Sequence, residues 1–205
     1  TLGFARVSLL LGRTSNRYGL DFFPVIRYEL PRSKGISLFR PFFIFLFRFF
    51  SVYILLSIVY QYYLKQFDNP IVFEVDGFTN LVANQVQQVL LFLNYECKLI
   101  VHDSQSSIKI ILNHIYISRV VEGCNALSVM ILFVAFVVAF SGKWKQTILY
   151  IIFGIMVIHI LNVIRIALLS IALLHYPKQE EFLHGVIFPL IIYGLVFILW
   201  VFWVN

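Results

Sequence analysis

Three side chains in this sequence have the types and spacing for acyl-transfer chemistry: Cys124, Arg165 and His184. Cys124 stands on a seam. The chain before it is water-compatible, with Asp103, Lys109, Arg119 and Glu122, whereas Val129 to Phe140 carries no charge. Cysteine attacks as its thiolate, which is favoured beside a cation and at a helix N-terminus, where unpaired N–H groups point outward. Arg165 would add a permanent charge and five donors, suited to a thiolate or to the oxyanion of a tetrahedral intermediate. His184 could protonate a leaving amine and later deprotonate an acceptor.

Each residue also has a reading without chemistry. A cysteine in a span is commonly a small buried apolar group, and Cys124 could form a disulfide with Cys97 in an oxidising compartment. His184 could be an interfacial residue, and Arg165 an anchor for lipid headgroups. Their common depth argues for the joint reading. A basic, aromatic turn, Gly142-Lys143-Trp144-Lys145, is centred near Trp144, with Cys124 twenty residues before it and Arg165 twenty-one after it. At 1.5 Å per helical residue, both stand about 30 Å from that turn, at the far edge of the hydrocarbon. His184 begins a segment whose twenty-one following residues return to the same face as the turn, so it shares that depth. An arginine inside an apolar run is expensive in lipid, which makes function its default reading.

The elements that must position these groups are membrane helices. The 205 residues are 60% hydrophobic and only 13% charged, with a mean hydropathy of +0.88, so lipid is the solvent for most of the chain. The net charge of +6 does not form a nucleic-acid footprint. Its residues flank apolar runs and read as topology signals. Residues 1–40 hold seven Lys/Arg against two Asp/Glu, and residues 65–123 hold four against six, placing the first segment inside and the second outside.

The expected fold is an all-α polytopic membrane protein. It has about four transmembrane helices, an amphipathic helix and a small β-hairpin on the outer side. Residues 1–37 read as a basic leader or a non-native extension, and 38–205 as one membrane domain. Spans are expected at about 41–64, 125–141, within 148–176 and at 185–203, giving four crossings with both termini inside. The run 148–176 exceeds one span and must tilt, break or project. Asp68-Asn69-Pro70 signals a turn. Residues 79–95 mix apolar residues with Asn80, Asn84, Gln85, Gln87 and Gln88, so this helix should lie against the membrane or the other helices. Residues 98–103 and 108–117 are β-branched and partly alternating, and read as the two arms of a hairpin.

Other polar residues are secondary. Asn162 shares a helix face with His159 and Arg165 at three-residue spacing, and could orient Arg165 or the substrate. His159 reads as a packing histidine. Glu122 could pair with Arg119 or Arg165, or sit in solvent. His102, His114 and His175 show no ligand spacing, and the two cysteines lack a metal-type pattern.

Glu122-Gly123-Cys124-Asn125-Ala126-Leu127, Asn162-Val163-Ile164-Arg165-Ile166 and Leu183-His184-Gly185, in this order and spacing, resemble the exosortase/archaeosortase family of membrane transpeptidases. The likeness is to the bacterial branch, and within it to the short variant called exosortase F; it covers about residues 38–205. Many members carry Ser-Gly after the cysteine where this chain has Asn125-Ala126, which bears on substrate fit beside the nucleophile. The resemblance implies Cys124 as nucleophile, Arg165 as electrostatic stabiliser and His184 as acid/base, with Asn162, Glu122 and Asn125 as candidate substrate contacts. It implies no cofactor or metal. The implied substrates are exported proteins ending in a recognition motif, a transmembrane helix and a basic tail. The implied location is the bacterial inner membrane, with the active site on the periplasmic face. Small residues Gly154, Gly185 and Gly194 could admit the substrate helix between the spans. Two rivals remain: a non-catalytic membrane subunit or small transporter that holds an anionic ligand on Arg165, and a b-haem anchor using His159, His175 or His184.

Overall fold

The computed structural model describes residues 34–67, 74–102, 105–140 and 142–204, except the side chains of 34–38, 184 and 188. Most of the basic leader and the Asp68-Asn69-Pro70 turn lie outside the described residues. The described residues fall into two units that divide between Arg40 and Pro41. The first helix, α1 (Lys34–Leu64), contains Pro41, and the units divide at this residue, whose missing N–H interrupts the helical ladder.

In the second unit, α2 (Gly77–Phe92) starts where Asp76 accepts hydrogen bonds from Phe78 N and Thr79 N, at 3.1 and 2.9 Å, an N-cap satisfying two of the helix's first N–H groups. It ends in a left-handed Asn94 (φ 64°), with Tyr95 N bonded to Leu90 O and Asn94 N to Leu91 O, the paired bonds of a Schellman motif. Thr79, Val82, Ala83, Val86 and Leu90 form its buried stripe. The helix therefore packs against protein through a face set by the 3.6-residue period.

The expected hairpin is a three-stranded antiparallel sheet. β1 (Cys97–Val101) pairs with β2 (Ser107–Leu112), and β2 with β3 (Ile115–Val121). The run 108–117, read as one arm, is two strands folded at Asn113-His114. Both residues have positive φ, 49° and 66°, as a two-residue type I′ turn requires. The usual Asn-Gly signal is missing because histidine fills the second position. A register shift at Ile110/Ile111 bends the β2–β3 pair. The inner face of the sheet packs Cys97, Ile108, Ile110, Leu112 and Val120 against α2 and against Val163, Ile166 and Ala167.

Those last three residues belong to α4 (Trp144–His175), which follows α3 (Leu127–Ala139). The long apolar run is one unbroken helix of 32 residues, about 48 Å long. It therefore exceeds a bilayer's hydrocarbon core without a break. Its first half packs with α3 and α6 (Phe188–Val204) around Met130, Phe133, Val137, Ile158, Val196 and Leu199. Trp200 and Trp203, near the end of α6, also pack inward. Trp200 stacks on Phe136 at 4.2 Å and Trp203 on Tyr150 at 4.8 Å, and Tyr150 donates to Leu199 O at 2.6 Å.

Among the described residues, three helices are long and apolar enough to cross a membrane: 39–64, 144–175 and 177–204. The fourth, α3, has 13 residues, about 20 Å of helix. It is shorter than the expected 125–141 span because helix starts only at Leu127 and stops at Ala139. Between α4 and α6 come a 3-10 turn (Pro177–Gln179), the short α5 (Glu180–Phe182) and a π-helical turn (Leu183–Ile187).

Candidate active site

Cys124 closes a 3-10 turn, Glu122–Cys124, between β3 and α3. Asn162 holds this turn from α4, its Nδ2 donating to the Cys124 carbonyl at 2.8 Å. Asn162 is fully buried, and its Oδ1 has no partner among the described residues. Asn125, also buried, holds the other side. Its Nδ2 donates to Thr79 Oγ1 of α2 at 3.1 Å, and its Oδ1 accepts from Leu127 N at 2.9 Å, within the first turn of α3. The cysteine backbone is thus fixed by two buried amides reaching α2 and α4, while its side chain stays partly exposed.

Between Asn125 and α3, Ala126 has φ 62° and ψ 11°. This left-handed conformation costs a residue with a Cβ about 1–2 kcal/mol. Glycine would adopt it without that cost, and Ala126 here carries the strain.

Arg165, one helical turn beyond Asn162, lines a groove of about 790 Å³ together with Cys124. Its Nε is buried without a partner among the described residues, and its charge interacts with Cys124 and with Tyr193 of α6. Tyr193 has no reactive pattern of its own; only the return of α6 beside α4 brings it into this neighbourhood. His184 lies on the π-helical turn, and its side chain is outside the described residues. The residue before it, Leu183, packs against the Leu169 and Leu173 cluster of α4, as does Ile117 of β3, and Leu169, Leu173 and Ile117 line the groove.

The remaining polar candidates separate. Glu122 is exposed and makes no ion pair with Arg119 or Arg165 among the described residues. Arg119 donates to Gln105 Oε1 instead. His159 is a packing histidine, bonded to Gln85 Oε1 at 2.7 Å beside Phe78. Cys97 and Cys124 are free thiols rather than a disulfide, and Cys97 is buried on β1, where burial raises its pKa. Gly154 serves the fold, since a Cβ there would overlap the Phe133 ring of α3, whereas Gly185 and Gly194 have open space above them. In sequence Tyr60 reads, with Tyr62 and Tyr63, as part of an interfacial aromatic belt closing the first span. It is buried, and the polar groups around its hydroxyl are Asn125, Glu122 and Asp76, although no hydrogen bond of good geometry forms among the described residues. Only its place facing the Cys124 turn distinguishes it from the other tyrosines of α1.

Comparison with known proteins adds one finding. The comparisons with curated proteins and with solved structures give no match, but the family model described as transmembrane exosortase matches residues 35–204. That range includes the Cys124 turn, both amides that hold it and the groove shared with Arg165, and the chain belongs to the transmembrane exosortase family.

Proposed function

We propose that this protein is a membrane-embedded cysteine transpeptidase, cleaving C-terminal sorting signals of exported proteins and passing them to an envelope acceptor. The observation that carries the reading is the shared groove: a partly exposed thiol on a clamped backbone and a desolvated guanidinium with an unused donor. The Cys124 thiolate attacks the scissile carbonyl carbon, and its negative charge passes to the carbonyl oxygen, where Arg165 stabilises it. Collapse expels the amine, which takes a proton from His184, and leaves a thioester on Cys124. An acceptor amine then attacks the thioester, His184 takes its proton, and the thiolate is released. Neither metal nor cofactor enters this scheme.

In this reading the chain crosses the inner membrane four times, α3 included, with both termini cytoplasmic. Arg165 lies twenty-one residues beyond Trp144, so Cys124 meets substrate at the outer boundary of the hydrocarbon. A bond is accessible there only where the substrate's own helix enters the bilayer.

The test is co-expression with an exported reporter ending in a motif–helix–basic-tail segment encoded by the same genome. Cys124→Ala and Cys124→Ser should leave the reporter full-length at unchanged enzyme level. Normal processing by Cys124→Ala would sink the proposal.

A further inference from the structure

The groove that reaches Cys124 continues along β3, and its lining has an unusual pattern. Ile115, Tyr116, Ile117, Ser118 and Arg119 line it one after another, followed by Val121. Successive side chains of a strand point to opposite faces, so a groove lying on one face would meet every second residue. Contact with consecutive residues means that the groove runs along the edge of the strand. β3 has β2 on one side and no strand on the other among the described residues. A sheet edge offers a row of outward N–H and C=O groups at the spacing of another extended backbone.

The opposite wall is the second half of α4, where Leu169, Leu173 and Leu174 present an apolar surface beyond Arg165. Ser118 ties the two walls together. The Ser170 hydroxyl donates to Ile166 O at 2.9 Å, so its oxygen accepts from Ser118 Oγ at 3.2 Å. β3 is seven residues long, about 23 Å of strand, and the 3-10 turn carries the chain directly from its end to Cys124.

We infer that the free edge of β3 is the binding site for the substrate's recognition motif, which adds as a fourth strand and delivers the scissile bond to Cys124. The occupant is an extended peptide, the segment just before the substrate's membrane helix. Backbone pairing supplies register, and the leucine wall of α4 selects side chains on alternate motif positions. The orientation follows from topology. β3 runs toward Cys124, and a substrate whose helix enters the membrane at Cys124 also runs N to C in that direction. The added strand is therefore parallel to β3. This inference rests on the transpeptidase reading for the identity of the peptide.

The experiment places a photo-crosslinking amino acid at the exposed positions Ile115, Tyr116 and Arg119 in full-length Cys124→Ala protein, co-expressed with the tailed reporter. The controls are Ile100 and Val101, exposed on β1 at the opposite edge of the sheet. The β3 positions should capture reporter residues just before the helix, advancing toward its C-terminus from Ile115 to Arg119, while the β1 positions capture none. In the enzyme with Cys124 intact, Leu174→Trp should lower processing at least tenfold at unchanged protein level, and Leu91→Trp, on the exposed side of α2, should not. Capture from β1 alone, capture only of lipid or of a second copy, or no capture while Leu174→Trp still processes normally would overturn the edge site. The reverse order of capture would overturn the parallel orientation. If Cys124→Ala processes the reporter, the transpeptidase reading fails first, a result distinct from loss of processing in Cys124→Ala without capture from β3.

Discussion

Helices α1 and α4 are alike in length, hydropathy and the presence of an arginine. They have 31 and 32 residues, their most apolar windows share a mean hydropathy of 2.4, and each carries an arginine within its apolar run, Arg48 and Arg165. Their places differ sharply. None of that window in α1 is buried, against 28% in α4. Phe39, Phe43, Phe47, Leu55 and Ile58 of α1 stand exposed, a surface suited to lipid. Half-buried Phe45 meets the Phe136 and Phe140 rings at 5.8 and 4.7 Å, and Tyr60 is the one buried residue among the described side chains of α1. On α4, Gly154, Asn162 and Ser170 are all buried and each faces a different partner: α3, the cysteine turn and β3. Hydropathy makes a helix a span, while small and hydrogen-bonding residues on one face put it at the centre.

The sharpest break of this contrast is between the two arginines. Arg165→Leu removes the groove's charge and should slow reporter processing roughly 100- to 1000-fold, the loss typical of an oxyanion donor. Arg48→Leu should leave the rate within about twofold; pulse–chase of the tailed reporter reads both, and equal losses would dissolve the distinction. Asn162→Leu comes next. Losing its hold on the Cys124 carbonyl should cost roughly 10- to 100-fold in the rate at saturating reporter, since small misplacements of a reacting group are expensive. Alkylation of Cys124 by a membrane-impermeant maleimide should persist in that variant, separating misplacement from unfolding.

Within α1 itself, Tyr60→Ala should lower stability by about 3 kcal/mol, as for other buried aromatics. Phe47→Ala, at a position 75% exposed, should change it by less than about 0.5 kcal/mol. Thermal unfolding in detergent measures both. On α4, Gly154→Ala forces a methyl against the Phe133 ring and should cost about 1–3 kcal/mol. The smallest effect belongs to Ala126→Gly. It relieves the left-handed strain but adds freedom to the unfolded chain, so stability should shift by less than about 1 kcal/mol, whereas Ala126→Val should destabilise by more.

Labelling offers a contrast between the two cysteines. Burial holds the Cys97 thiol protonated above the ordinary thiol range, so a thiolate-selective reagent should spare it near pH 8.5. Cys124, partly exposed on its groove, should react first. Mass spectrometry of the native protein after brief alkylation reads the order.

Much of the architecture was legible in the chain. Apolar runs located the long spans, the mix of apolar residues with Asn and Gln over 79–95 marked a helix lying against its neighbours, and β-branched runs announced a hairpin before Cys124. Three features were hidden for physical reasons. The Asn113-His114 turn lacks the glycine that usually reports positive φ. The run 148–176 contains no residue that decides between a break and a projection; packing of β3 and α2 on its far half keeps it helical. Gly154 looked available to a substrate because nothing in sequence shows that Phe133 already occupies its notch.

The sequence by itself determined that this chain lives in a membrane, that a cysteine sits where polar chain meets apolar chain, and that an arginine stands at a cost within an apolar run. These follow from transfer energies, which depend on composition and local order alone. Only the tertiary structure decided that Asn162 and Asn125 clamp the cysteine turn, that Cys124 and Arg165 share a groove, and that the groove follows the open edge of β3. Those contacts join residues 38 to 46 positions apart, and such pairings come from packing whole elements together, which no local pattern encodes.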